Sequence, residues 1–294
     1  MALSGCNLTG SVVTTPFSFA ASAHAIALNG LTPIFADIDA DTLCLDPEKA
    51  EAALQDDSDA VLATHVFGMP CDVERLAELG ERRGVKILYD GAGAFGTSIG
   101  GQSIFNWGDA SALSFHATKL FHMVEGGGVF MRDAAADAHV AVAKAHGIDG
   151  DDVPVIGPNA KMSELHAAFG LAALPDIDGQ LQRAKDRFAH YRDRLSSCDL
   201  RLIEPAAPCD WNHAYCAALF PDADRATAIK AMLAEHGIEA RRYFYPALNT
   251  LPVYHAGACP IAESVSRRIL CLPFGSDLTD AAIDCVAGLL RAAL

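Results

Sequence analysis

The chain is predicted to be an α/β protein: a mostly parallel sheet covered by helices on both faces, followed by a smaller α+β domain. Three observations predict it. Short, nearly continuous apolar runs, such as Ala60–Phe67 (AVLATHVF) and Val85–Tyr89 (VKILY), read as strands buried on both faces. These runs alternate with helix-length stretches through the first 130 or so residues, the order of a doubly covered sheet. After Arg132 the alternation gives way to helical sequence, and from Asp176 onward short strands and helices mix. The domain boundary is therefore expected at Pro175, giving residues 1–175 and 176–294.

Each element follows from local chemistry. Val12–Thr15 is β-branched and ends at Pro16, so it reads as a strand. Ala20–Leu28 is alanine-rich and helical, and Asn29-Gly30 stops it. Thr32–Ile38 (TPIFADI) is a strand. Asp46-Pro47-Glu48 opens a helix with a cap, a proline at the first position and an acid in the first turn. Asp72–Arg83 is an amphipathic helix closed by Gly84, and the Val85–Tyr89 strand then runs straight into Asp90. Ala110–Phe115 and Gly128–Met131 are two further strands, and Ser163–Leu174 and Gln180–Leu195 two long helices. In the second half, Ala214–Phe220 and Ala240–Tyr245 read as strands, and Asp224–Glu235, Ile261–Ile269 and Asp280–Ala293 as helices.

Composition narrows the function. With 51% hydrophobic and 20% charged residues, the 294-residue chain has the make-up of a well-buried globular protein. Its formal net charge of −15, without a basic run longer than a pair, argues against nucleic-acid binding. Nine scattered cysteines without a C-x-x-C imply reduced thiols and a cytoplasmic protein. Residues 1–10 have no secretory pattern, and polar residues interrupt the apolar stretch Pro16–Ala36, so no membrane span is expected.

Among possible reactive groups, Lys119 stands out. It is the only charged residue between Asp109 and Glu125, amid Leu113, Phe115, Leu120, Phe121, Met123 and Val124. A lysine in apolar surroundings loses hydration, its pKa falls, and the neutral amine can attack a carbonyl to form a Schiff base. The competing reading is a lysine that extends its ammonium to water. Asp90, at the C-terminal end of a strand, lies where α/β sheets bind ligands, and could hold a protonated ring nitrogen or simply make a turn. A lysine and a carboxylate so disposed suit pyridoxal phosphate. Gly91, Gly93 and Gly96 match a dinucleotide-binding spacing, but Thr97–Asp109 lacks the helix that spacing must open. Cys209, His213 and Cys216 lack a fourth ligand, so no metal site is expected.

Several blocks together resemble the DegT/DnrJ/EryC1/StrS family. They are SFHATK at Ser114–Lys119 with EGG at Glu125–Gly127, DGAGAFG at Asp90–Gly96, and GPNAKMSE at Gly157–Glu164. Thr14–Phe19 (TTPFSF), Pro33–Pro47 (PIFADIDADTLCLDP), His65–Gly68 (HVFG) and Ala240–Leu248 (ARRYFYPAL) extend the match along almost the whole chain. The resemblance implies a sugar aminotransferase of the fold-type-I pyridoxal 5′-phosphate architecture. Lys119 would carry the cofactor as a Schiff base and Asp90 would keep its ring nitrogen protonated. Ser114 would hydrogen-bond the phosphate, and Phe19 would stack on the ring. Asn159 would reach the phosphate in the neighbouring subunit, implying a homodimer with shared sites. Arg242, Tyr243 and Tyr245 would approach the sugar. An amino acid, L-glutamate, would donate the amino group to a nucleotide-linked keto-sugar.

Three departures accompany the resemblance. Relatives carry a further strand and helix ahead of the Thr14–Phe19 block, with a Gly-Thr turn that binds the cofactor phosphate. Residues 1–13 hold no such turn, so the sheet is expected to lack its first strand and to expose an edge. The position three after Asp90, Gln or His in relatives and in contact with the cofactor's ring hydroxyl, is Gly93. Asn249 stands where relatives often have His. The alternative reading is a shortened, non-catalytic relative with a structural or regulatory role. A sugar dehydratase on the same scaffold fits less well, because Lys119 is retained and the cysteines form no cluster-binding set.

Overall fold

The computed structural model describes residues 1–254 and 256–294. A short helix α1 (Ala2–Gly5) leads into β1 (Ser11–Thr14), α2 (Ala20–Leu28) and β2 (Thr32–Phe35). Next come α3 (Pro47–Ala53), β3 (Ser58–Thr64), α4 (Val73–Arg83) and β4 (Lys86–Asp90). The hairpin β5 (Ser98–Ile99) and β6 (Gln102–Ser103) precedes β7 (Ala110–Ser114) and β8 (Gly127–Met131). Three helices follow: α5 (Ala134–Ala143), α6 (Glu164–Ala173) and α7 (Ile177–Leu195). The last part holds β9 (Arg201–Leu202), β10 (Ala217–Leu219), α8 (Ala223–Glu235), α9 (Pro260–Arg268), β11 (Ile269–Cys271) and α10 (Asp280–Ala293).

The central sheet has six strands in the order β2-β1-β3-β4-β7-β8. All neighbours are parallel except β8, which runs antiparallel to β7 and forms one edge of the sheet. The register puts Thr64 beside Asp90 and Asp90 beside Ala112, so β3 and β4 end together, β7 runs two residues further, and their loops share one end of the sheet. A second sheet, β11-β10-β9, is antiparallel and belongs to the C-terminal part.

Caps set the helix ends, at Asp46 as the sequence suggested and also at Asp72 and Ser163. The Asp46 carboxylate accepts from the Glu48 and Lys49 amides at the start of α3, Asp72 from Arg75 in α4, and Ser163 from His166 in α6. One apolar cluster joins both parts of the chain, running from Val13 and Phe17 through Leu76, Phe188 and Tyr191 to Leu233, Ile283 and Leu290. A smaller cluster on the other face gathers Leu3, Val12, Ile26, Leu62 and Leu88.

The structure differs from the sequence reading in several places, among them β2, which stops at Phe35 rather than Ile38, and β10, which spans only Ala217–Leu219. The expected strand Ala240–Tyr245 is absent: only Arg241 pairs with Cys271, at 3.0 and 2.7 Å, and the chain then leaves the sheet. The aromatic side chains decide this, because Phe244 turns inward against Phe17 and Phe67, at 5.4 and 5.8 Å between ring centres. The Ala60–Phe67 strand ends at Thr64, and Val66–Gly68 forms a single 3₁₀ turn, with Phe67 at positive φ. The strands β9 and β11 are too short for any periodicity to reveal. Pro175 lies between α6 and α7, in a 3₁₀ turn over Leu174–Asp176. Thr97–Asp109 contains no α-helix, in line with rejecting the dinucleotide motif.

Candidate active site

Lys119 sits on a closed loop between the antiparallel strands β7 and β8. The Phe115 amide donates to the Gly126 carbonyl at 2.9 Å, and the Met123 amide to the Phe115 carbonyl at 2.9 Å. Within it a tight turn joins the Lys119 amide to the His116 carbonyl at 2.9 Å. The apolar run around the lysine supplies the packing. Phe121 is buried and stacks on Phe95 at 4.6 Å, and Phe115 meets Phe121 edge-on at 5.6 Å. The loop is therefore fixed by a small aromatic core, and Lys119 is half-buried above it. Burial holds its amine below the usual lysine range, while the Asp90 carboxylate acts in the opposite direction. Its Nζ donates a long, 3.4 Å hydrogen bond to Tyr215 Oη.

Asp90 ends β4, where the parallel register places it two strands from Thr14 and beside Thr64. Its Oδ2 accepts from Ser22 Oγ at 2.5 Å, and its Oδ1 from the Ala92 amide at 3.0 Å. Behind Ser22 lies a row of hydroxyls: Ser18 and Ser22 are 2.7 Å apart, and Thr64 Oγ1 donates to Ser18 Oγ at 3.0 Å. Because the single proton of Ser22 points at the carboxylate, Ser18 must donate to Ser22. Every hydroxyl in the row thus donates toward Asp90. This aligned chain of donors fixes the orientation of the carboxylate.

A third group arrives from the C-terminal part. The stretch Trp211–Tyr215 lies across the loops after β3 and β4. The Trp211 indole donates to the Phe67 carbonyl at 3.2 Å. Asn212 Nδ2 donates to the Gly93 and Phe95 carbonyls at 2.8 and 2.9 Å, and its Oδ1 accepts from the Ala214 amide at 3.1 Å. Gly68 makes this approach possible. Its φ is +79°, and a Cβ there would lie 2.5 Å from Asn212 Oδ1 and 2.7 Å from the Gly93 carbonyl oxygen. Asn212 is buried, so Asn212→Ala would strand two carbonyls and an amide away from water. The expected loss is about 3 kcal/mol of stability, seen as a lower denaturant midpoint at unchanged slope.

The other expected site residues are disposed unevenly. Ser114 ends β7, and its Oγ accepts from the His116 amide at 3.3 Å; among the described residues its own proton meets no acceptor. Phe19 is 63% exposed at the N-terminal end of α2. Tyr243 meets the Tyr215 ring edge-on at 6.1 Å and accepts from Arg241 Nη1 at 3.2 Å. Arg242 stacks over Tyr245 at 5.1 Å and donates to Thr227 Oγ1 on α8 at 3.0 Å. Asn159 is exposed, and its Oδ1 accepts from Lys161 Nζ at 2.7 Å; none of its hydrogen bonds reaches Lys119 or Asp90. Asn249 has a structural use, tying the Gly257 carbonyl at 3.1 Å to Glu263 Oε1 at 2.7 Å. Sequence reasoning missed Ser18, Ser22, Thr64, Asn212 and Tyr215. The available signals were that Ser18 lies inside the TTPFSF block and that Thr64 directly precedes HVFG.

The sequence pattern of the DegT/DnrJ/EryC1/StrS aminotransferase family matches residues 1–291. The chain belongs to that family. It is 34% identical over 299 residues to the dTDP-4-amino-4,6-dideoxy-D-glucose transaminase of Shigella dysenteriae, spanning 99% of this chain and 81% of that protein. The Escherichia coli protein of the same name is 35% identical over 291 residues, spanning 95% of this chain and 78% of its own length. A crystal structure of DesI in the presence of its TDP-sugar product superimposes with a TM-score of 0.91 at 33% identity, covering 98% of this chain and 76% of that one. The architecture is that of the fold-type-I pyridoxal phosphate enzymes, and the cofactor is pyridoxal 5′-phosphate. The site fits it chemically. It holds a desolvated lysine amine, one carboxylate served by aligned hydroxyls, and a serine hydroxyl at the end of β7.

Proposed function

We propose that this protein transfers an amino group from an amino acid, L-glutamate, to a nucleotide-linked keto-sugar. The observation that carries the reading is the half-buried Lys119 amine, held below the usual lysine range and opposed by the Asp90 carboxylate beyond the ends of β4 and β7. The sugar-transaminase relatives support the substrate class.

When bound, pyridoxal phosphate supplies an aldehyde for amine exchange and a ring that accepts the electron pair left when a Cα proton departs. Lys119 would hold the group through that aldehyde and, once its amine is free, would move a proton as base and then as acid. A lowered amine pKa suits this work, because the neutral form needed by a base is then present nearer neutral pH. Asp90, oriented by the hydroxyl row behind it, would hold a proton on the ring nitrogen. Ser114 would donate to the phosphate, and Phe19 would cover the ring. Arg242, Tyr243 and Tyr245 line the sugar side.

The protein acts as a homodimer in the cytoplasm, with Asn159 of each copy reaching the other's phosphate. Exposed large apolar side chains on the 148–174 segment support pairing: Ile148, Val153, Ile156, Leu165 and Leu171. The two functional halves divide at Pro175, with residues 1–175 holding the cofactor and 176–294 closing over it. No helix among the described residues is long and apolar enough to cross a membrane.

The test is reduction with borohydride after incubation with pyridoxal phosphate, followed by peptide mapping. One reduced adduct on Lys119, with loss of a visible imine band, is the expected result. A folded protein that gives no adduct there would sink the reading and favour the non-catalytic relative.

A further inference from the structure

Tyr215 Oη is the one polar side-chain atom within hydrogen-bond reach of the Lys119 amine among the described residues, at 3.4 Å. The phenol is not free to wander. Phe67 and Tyr243 pack on its ring at 5.5 and 6.1 Å, and the preceding Asn212 is bolted to the Gly93 and Phe95 carbonyls. On its remaining side is Gly93, in the turn that begins at Asp90. A Cβ at Gly93 would lie 3.3 Å from Tyr215 Cε2 and 3.8 Å from Tyr215 Oη. That separation is tighter than ordinary packing, so any larger residue at 93 must push the ring aside. Gly93 has no positive φ, so the glycine is needed for space and not for backbone shape.

We propose that Tyr215 is a positioning residue that orients the Lys119 amine, with Gly93 giving its ring room in the Asp90 turn. The proposal rests on the reading of Lys119 as the reactive amine. It deepens that reading by assigning the amine's orientation to a residue 96 positions away, on the other half of the chain. The titratable groups facing the pair are Asp90 at the end of β4, Arg241 and Tyr243 on the 240–245 segment, and Cys271 in β11. Burial pushes the Tyr215 phenol up, so it stays protonated and neutral at working pH. A neutral phenol oxygen accepts from the ammonium, and a hydrogen bond to a charged group is stronger than one to its neutral form. Tyr215 therefore both aims the amine and favours its charged state, against the desolvation that favours the neutral one.

The test uses the full chain before any cofactor is added. The rate of Lys119 modification by trinitrobenzenesulfonate is followed against pH, with peptide mapping to isolate that residue. Tyr215→Phe keeps the ring and removes one oxygen, and its labelling midpoint is expected to fall by about half to one pH unit. Gly93→Ala is expected to shift the midpoint the same way by displacing the phenol, and to add nothing in the Tyr215→Phe background. An unchanged midpoint in a folded Tyr215→Phe protein overturns the proposal. So does a Gly93→Ala shift of equal size in both backgrounds. Should Tyr215→Phe fail to melt cooperatively, Gly93→Ala decides alone, and a wild-type midpoint there overturns it. The outcome is separable from that of the functional reading. A shifted midpoint without a borohydride adduct would sink the enzyme and leave the pair standing; the converse would sink only the pair.

Discussion

Lys119→Ala is expected to lower transamination by about 10,000-fold, the upper end of what a positioned acid–base group contributes, with the covalent step lost as well. The fold should survive. The side chain makes one long hydrogen bond, to Tyr215, and the loop around it is held by Phe95, Phe115 and Phe121 and by backbone bonds that alanine leaves intact. Thermal unfolding should therefore match the parent while turnover and the borohydride adduct vanish together. A turnover assay with glutamate and a keto-sugar nucleotide, run beside a melt, separates chemistry from stability. A lysine that merely reached for water would leave the rate untouched, and that result would remove the aminotransferase reading.

Asp90→Asn is expected to lower turnover by about 100- to 1,000-fold, the range seen when one preorganised electrostatic partner is removed. The substitution is nearly isosteric, so its effect is electronic. An amide cannot hold a proton on a ring nitrogen as a carboxylate does. It also disturbs the row behind it, because Thr64, Ser18 and Ser22 all donate in sequence toward Asp90 Oδ2. If the introduced side chain turned its NH₂ group toward Ser22, two donors would face each other and the row would have to reverse. A second readout follows from sign. The Asp90 carboxylate raises the Lys119 pKa against the desolvation that lowers it. Removing that charge leaves desolvation unopposed, so the Lys119 labelling midpoint should fall. A midpoint that stayed in place or rose would show that Asp90 does not act on the amine.

The alternation of strands and helices in residues 11–131 was legible because each signal is local. Asp46, Asp72 and Ser163 cap helices within three residues of themselves, and the apolar runs of β3 and β4 are continuous because both faces are covered. Lys119 was legible for the same reason, as one charge in an apolar stretch, and Asp90 as the residue ending a strand. Where a sequence signal met a competing long-range contact, the contact won. Ala240–Tyr245 has strand composition, but burying Phe244 against Phe17 and Phe67 draws the chain off the sheet after Arg241.

The sequence by itself determined the fold class and the family, and it singled out Lys119 and Asp90 as the candidate reactive pair. These depend on residue type and on spacing within a few turns of chain. Only the tertiary structure decided which groups support that pair. Ser22 meets Asp90 across 68 positions, Tyr215 meets Lys119 across 96, and Asn212 meets Gly93 across 119. Periodicity carries no record of such distances. They are set when two halves of the chain pack into one core and the close approach at Gly68 and Gly93 brings the Trp211–Tyr215 stretch against the strand ends.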